Sequence, residues 1–193
     1  MDGESREVRP CNWPIEEIPH SDFVYRQVPP PDRIGQKPGK YPNAGHFSLK
    51  PDEKGLSVNW DKYVTLKSIF ELISLRVNKK GNFTDYMGFK IFKFPVSLLK
   101  TFDKIADVEH DPDCRGNPAP HGTPNNRAHS LIMHEDDEEI RLKLSEYCRD
   151  NHSESYCDFI ITTTLEDEIE EIRINGNSSF YHQCNWPAVN GED

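Results

Sequence analysis

Proline and glycine cut this chain into short apolar runs, and that punctuation sets the kind of fold it can adopt. Residues 22–28 (DFVYRQV) are stopped by Pro29, Pro30 and Pro31, and glycine and proline recur through 29–45 as an irregular crossing. Residues 46–49 and 56–60 (LSVNW) are parted by Pro51 and Gly55, a spacing that suits a hairpin or a bent strand pair. Pro95 closes residues 87–94 (MGFKIFKF). The aromatic and β-branched content of these runs predicts short strands, with two more at 105–109 and 128–133.

Helical periodicity occurs between the strands. Leu66, Ile69, Phe70, Ile73 and Val77 fall on one face, which predicts a helix capped by Thr65 that runs to about Asn78 and stops at Gly81. Residues 96–102 can form a short helix after Pro95. Asp136 or Asp137 can cap another through about Cys148, with Glu138 and Glu139 at the positive end of its dipole. Residues 159–164 (FIITTT) read as a strand, 165–174 as a strand or a helix, and Asn175-Gly176 as a turn. The expected fold is α+β: a mostly antiparallel sheet of short strands with two or three helices on one side. A length of 193 residues suits a single domain, 1–193, with irregular segments at 1–21 and 175–193.

Only 35% of residues are apolar, yet ten Phe, seven Tyr and three Trp argue for a folded, loop-rich domain. The net charge of -10 repels phosphate backbones, and Arg76, Lys79, Lys80, Lys90, Lys93 and Lys100 are scattered, so no nucleic-acid partner is expected. The first residues lack a basic stretch followed by an apolar core, and no run of about 18 apolar residues occurs, which argues against a secretory leader and a membrane span. Five cysteines without a CxxC pair favour reduced thiols and a cytoplasmic location. The sequons at Asn82, Asn151 and Asn177 are short enough to arise by chance.

Chemistry-bearing residues are densest in 110–130 (HDPDCRGNPAPHGTPNNRAHS), a loop-like block between two apolar runs. His110, Cys114, His121 and His129 could ligate zinc, with Asp111 or Asp113 adding oxygen, although the spacing follows no established zinc pattern. The competing reading is a solvated turn opened by Asp111-Pro112. Cys-Asn-Trp-Pro occurs twice, at 11–14 and 184–187, which makes Trp13 and Trp186 candidate anchors for a partner.

Three resemblances add expectations. His46-Phe47-Ser48-Leu49 and His121-Gly122-Thr123-Pro124 resemble the paired motifs of the two-histidine phosphoesterases, in which one imidazole acts as base and the other as acid on a phosphodiester. That family sets both motifs in apolar strands, whereas His121 lies among proline, asparagine and glycine. The order Arg26, then Ser48 or Ser57, then Glu168-Ile169-Glu170 is similar to that of ADP-ribosyltransferases, where Arg would hold cofactor phosphates and Glu would position a ribose. YRQVPP (25–30), LSVNWDKY (56–63), HDPD (110–113) and NRAHSLI (126–132) resemble a group of small uncharacterised bacterial proteins. That likeness spans about residues 23–133 and implies a bacterial, cytoplasmic protein, with no activity attached.

Taken together, the expected protein is an acidic, non-catalytic binding or regulatory module whose partner is another protein with a basic surface. Its candidate binding residues are Trp13, Trp186, Arg26 and Asn126. The alternative is a small hydrolase or phosphoesterase using His46, His110, His121 and His129, with no cofactor or with zinc, or an ADP-ribosyltransferase-like enzyme.

Overall fold

The computed structural model describes residues 11–31, 41–77, 80, 82–113, 124–151, 156–157 and 163–175. Their strands are β1 (Phe23–Val28), β2 (Leu56–Trp60), β3 (Lys90–Pro95), β4 (Ile105–His110), β5 (His129–His134) and β6 (Tyr156–Cys157). They form one sheet in the order β4-β5-β2-β1-β3-β6, and each neighbouring pair is antiparallel. The helices are α1 (Leu66–Ser74), α2 (Val96–Leu99), α3 (Glu138–Asp150) and α4 (Thr163–Asn175). The fold is α+β, built on an antiparallel sheet of short strands.

Strand alternation builds the core. The registers Val24↔Trp60, Val24↔Phe94 and Val58↔Ser130 set these side chains on one face of the sheet, all of them buried. Helix α3 covers that face, with its Tyr147 ring 5.4 Å from Phe94 and its Ile140, Leu144 and Cys148 buried. On the opposite face the pair Gln27↔Ile91 is also buried, so the middle of the sheet is covered on both sides. Gly55 leads into β2 where the backbones close up, since a Cβ there would lie 2.8 Å from the Ile132 carbonyl oxygen.

Several boundaries differ from expectation, each for a local or tertiary reason. Residues 46–49 are not a strand: Ala44–Phe47 form a 3-10 turn, because the Asn43 side chain accepts from Gly45 N–H and caps it. Strand β3 begins at Lys90 rather than at 87, because Gly88 has φ of 76° and Phe89 N–H closes a turn on the Tyr86 carbonyl. Helix α1 ends at Ser74, well short of Asn78, because Val77 pairs with Phe83 and Thr84 N–H takes the Arg76 carbonyl. Residues 163–164, expected as strand, begin α4, and 165–174 are helical; 158–162 and Gly176 lie outside the described residues. Cys148 is a buried free thiol, but Cys11 is disulfide-bonded, which corrects the expectation of reduced thiols throughout. Among the described residues no helix is long and apolar enough to cross a membrane.

Candidate functional site

β1 and β2 pair at Val24↔Trp60 and Tyr25↔Asn59, and Arg26 then ties β2 to the 3-10 turn. Its Nη1 donates to the Ser57 carbonyl at 2.7 Å and its Nη2 to the His46 carbonyl at 3.1 Å. A cavity of about 630 Å³ opens beside it. Arg26, Gln27, His46, Ser57, Asn59, Asn126 and His129 line this cleft, together with Arg76, Glu53 and Asp113.

The sheet register explains how the cleft acquires its hydroxyl and imidazole. Asn59 pairs with His129 and Ser57 with Leu131, so Ser57, Asn59 and His129 share a face, with Ser57 diagonal to His129. His129 Nε2 lies 3.0 Å from Ser57 Oγ, and Nδ1 lies 2.6 Å from the backbone carbonyl of Asp111, with the Asp111 carboxylate at 3.7 Å. A carbonyl oxygen only accepts, so Nδ1 carries the ring proton. With Nδ1 carrying the proton, the uncharged form of the ring has its lone pair on Nε2, aimed at the serine hydroxyl, which donates to it in that form. This is the geometry of a general base poised on a nucleophile.

Around that pair stand polar groups with capacity to spare. Asn126 Nδ2 donates to Asn59 Oδ1 at 2.7 Å, whereas Asn126 Oδ1, Gln27 Nε2, His46 Nε2 and Arg26 Nε are buried without a hydrogen-bond partner among the described residues. Burial pulls the Arg26 guanidinium down to about 10, helped by the charge of Arg76 and opposed by Glu53, so Arg26 stays charged at neutral pH. Burial likewise lowers His46, against the Asn43 and Pro29 carbonyls that favour its protonated form.

The 110–130 block joins β4 to β5, and its neck is closed by reciprocal backbone hydrogen bonds between Asp113 and Asn126. Its two described histidines part company there. His110 pairs with Ser130, the neighbour of His129, so alternation sends the two imidazoles to opposite faces of the sheet. His110 is 2% exposed, edge-on to Trp60 at 5.2 Å and stacked on Tyr63 at 5.7 Å. Its Nδ1 accepts from Glu16 N–H at 3.2 Å and its Nε2 donates to the Arg127 carbonyl at 2.6 Å, so neither nitrogen has a lone pair for a metal.

Of the residues singled out from sequence, Arg26, His46, Asn126 and His129 meet in the cleft, and Ser57 with them. Cys114, His121 and Trp186 lie outside the described residues. Trp13 is half-buried against the core. Glu168 pairs with Lys67 at 2.6 Å and Glu170 with Arg173 at 2.6 Å on α4, and neither lines the cleft as the ADP-ribosyltransferase order requires. Among the described residues no three His, Cys, Asp or Glu side chains are grouped to hold a metal ion. Sequence reading missed Gln27, Asn59 and Arg76. The first two carry a faint signal, as polar residues in otherwise apolar strands; Arg76 carries none, because α1 and the sheet bring it to the cleft. Comparison of the chain with protein-family models, curated proteins and solved structures returns no match.

Proposed function

We propose that the chain is a small serine hydrolase that opens an ester of a substrate held in this cleft. The hydrogen-bonded run from Ser57 through His129 to the Asp111 carbonyl carries the reading, because it sets both the tautomer and the direction of the base. Ser57 Oγ attacks the ester carbonyl carbon while its proton passes to His129 Nε2. Collapse of the tetrahedral adduct expels the alcohol oxygen, which takes that proton. Water then adds to the acyl-serine, with His129 accepting a proton and returning it to Ser57 as the acid departs. Gln27, which strand alternation sets on the same face of the sheet as Ser57, Asn59 and His129, lines the cleft and offers an amide donor for the charge that develops on the carbonyl oxygen.

A fluorophosphonate probe tests this directly, because it reacts with activated serines. Mass spectrometry is expected to place the adduct on Ser57 and to find none in Ser57→Ala. His129→Gln should slow labelling by about 10²–10⁴-fold. Folded wild-type protein that takes up no probe at Ser57 refutes the reading.

One observation favours a second role as a binding module. Glu166, Asp167, Glu170 and Glu171 stand exposed on α4, an acidic face suited to a protein with a basic surface. A partner captured through this face should be lost as salt rises from low to moderate concentration. As to compartment, the Cys11 disulfide favours an oxidising one over the cytoplasm expected from the thiol pattern.

A further inference from the structure

We infer that the ester opened at Ser57 carries an apolar acyl chain of medium length, which lies along β5 over Leu131 and Met133 towards Ile15. The inference rests on the hydrolase reading and adds its substrate class. A second cavity, of about 340 Å³, is lined by Ile15, Leu131 and Met133 together with Glu109 and Asp111. The sheet register joins it to the nucleophile. Leu131 is the partner of Ser57 on β2 and of Glu109 on β4, and Met133 is the partner of Asp107, so these side chains share one face with Leu131 directly beside Ser57. Asp111 belongs to both places, since its backbone carbonyl holds His129 Nδ1 and the residue lines the second cavity.

The path of the proton decides which half of the ester faces that cavity. His129 Nε2 hands the serine proton to the departing alcohol oxygen, so the alcohol leaves on the His129 side of Ser57. That side is the polar cleft, where His129 pairs with Asn59 and both line the cavity with Asn126. The acyl group then points the other way along β5, to Leu131 and Met133.

The lining there suits hydrocarbon. A sheet face turned away from the core is ordinarily polar, yet at this end of β5 it carries Leu131 and Met133, both half-buried, and Ile15 beside the same cavity is 78% exposed. Of the charged residues around it, Glu16 is paired with Lys62 and Asp107 with Lys100, while Glu17, Lys54 and Glu109 are exposed and keep their charges in water. Methylenes laid on the apolar strip leave water at a gain, and a cavity of this size holds an acyl chain and no folded partner.

Hydrolysis of p-nitrophenyl acetate, butyrate and octanoate by the full chain tests the proposal, at concentrations where the octanoate is monomeric and with Ser57→Ala as the background. From acetate to octanoate kcat/KM should rise about tenfold or more. Met133→Asp sets a carboxylate on the path of the chain and should cut the octanoate-to-acetate ratio about tenfold. Because Met133 Sδ also lies against Gly55, Ile15→Asp is the second variant: that side chain is exposed, and the ratio should fall about threefold or more. A ratio does not change with the fraction of folded enzyme, so its fall reads the groove itself. Equal kcat/KM along the series, a preference for acetate, or a ratio that either variant leaves unchanged overturns the inference. The serine-labelling result is read separately. An adduct on Ser57 with no chain preference removes the acyl groove alone, and absence of an adduct removes the hydrolase together with the substrate assigned to it.

Discussion

Glu16 shows how much one side chain can organise. Its carboxylate accepts from Lys62 Nζ and from the Tyr63 hydroxyl, Arg127 lies 3.8 Å away, and its backbone N–H orients His110. Burial pushes the carboxyl up, but the hydrogen bonds and the Lys62 charge outweigh it and hold the group below the usual range. Glu16→Gln should therefore cost about 1–3 kcal/mol near neutral pH, measured by urea unfolding. A depressed carboxyl stabilises the fold above its unfolded value and loses that contribution as pH falls through its folded value, so the gap between wild type and Glu16→Gln should close in acid. A gap that persists unchanged in acid would mean that the Glu16 charge is not what matters. Nothing in residues 11–19 signals this role by pattern, because its partners sit 46 or more positions away in sequence.

Local chemistry was far more legible at the level of elements. Thr65 caps α1 as its sequence position suggests: Thr65 Oγ1 accepts from Ser68 N–H at 3.2 Å, and Ser68 Oγ accepts from Thr65 N–H at 2.7 Å. Thr65→Ala should lower stability by about 1 kcal/mol in equilibrium unfolding, and Thr65→Ser should restore most of it. If Ala and Ser behave alike, the cap contributes nothing. The other end of the same helix was not legible. Its apolar spacing continues to Val77, but Val77 leaves the helix to pair with Phe83, and Arg173 from α4 donates to the Ser74 carbonyl at 3.0 Å. Strand runs ended by proline were placed within a few residues for a related reason: a missing N–H stops a ladder wherever the chain is. The 46–49 run failed because Asn43, just outside it, caps a turn.

Across the whole molecule, two buried histidines bias stability in the same direction. Burial lowers His46 despite the Asn43 carbonyl, with Arg26 adding to the shift; burial lowers His110 despite the Arg127 carbonyl and Glu16, with Arg127 and Lys62 adding to it. In both cases the unfolded chain binds the proton more readily. Stability is therefore expected to be full above the ordinary histidine value of 6.5 and to fall as pH drops below it, by at most about 1.4 kcal/mol per pH unit for each group. Unfolding at pH values on either side of 6.5, with NMR titration of the two imidazoles, reads this out. Histidine resonances that titrate at or above 6.5 in the folded protein would refute it.

The amino-acid sequence by itself determined the α+β class, the short strands and the location of the loop between β4 and β5, because proline stops, capping residues and period-two alternation act within a few residues of where they are written. It also singled out Arg26, His46, Asn126 and His129 as residues worth following. Only the tertiary structure decided that these four share a cleft with Ser57, Gln27 and Arg76, and that His110, which looked equivalent to His129, belongs to the core. The reason is register. Pairing His110 with Ser130 and His129 with Asn59 is a choice among long-range alignments, and a slip of one residue would exchange the faces on which the two imidazoles lie.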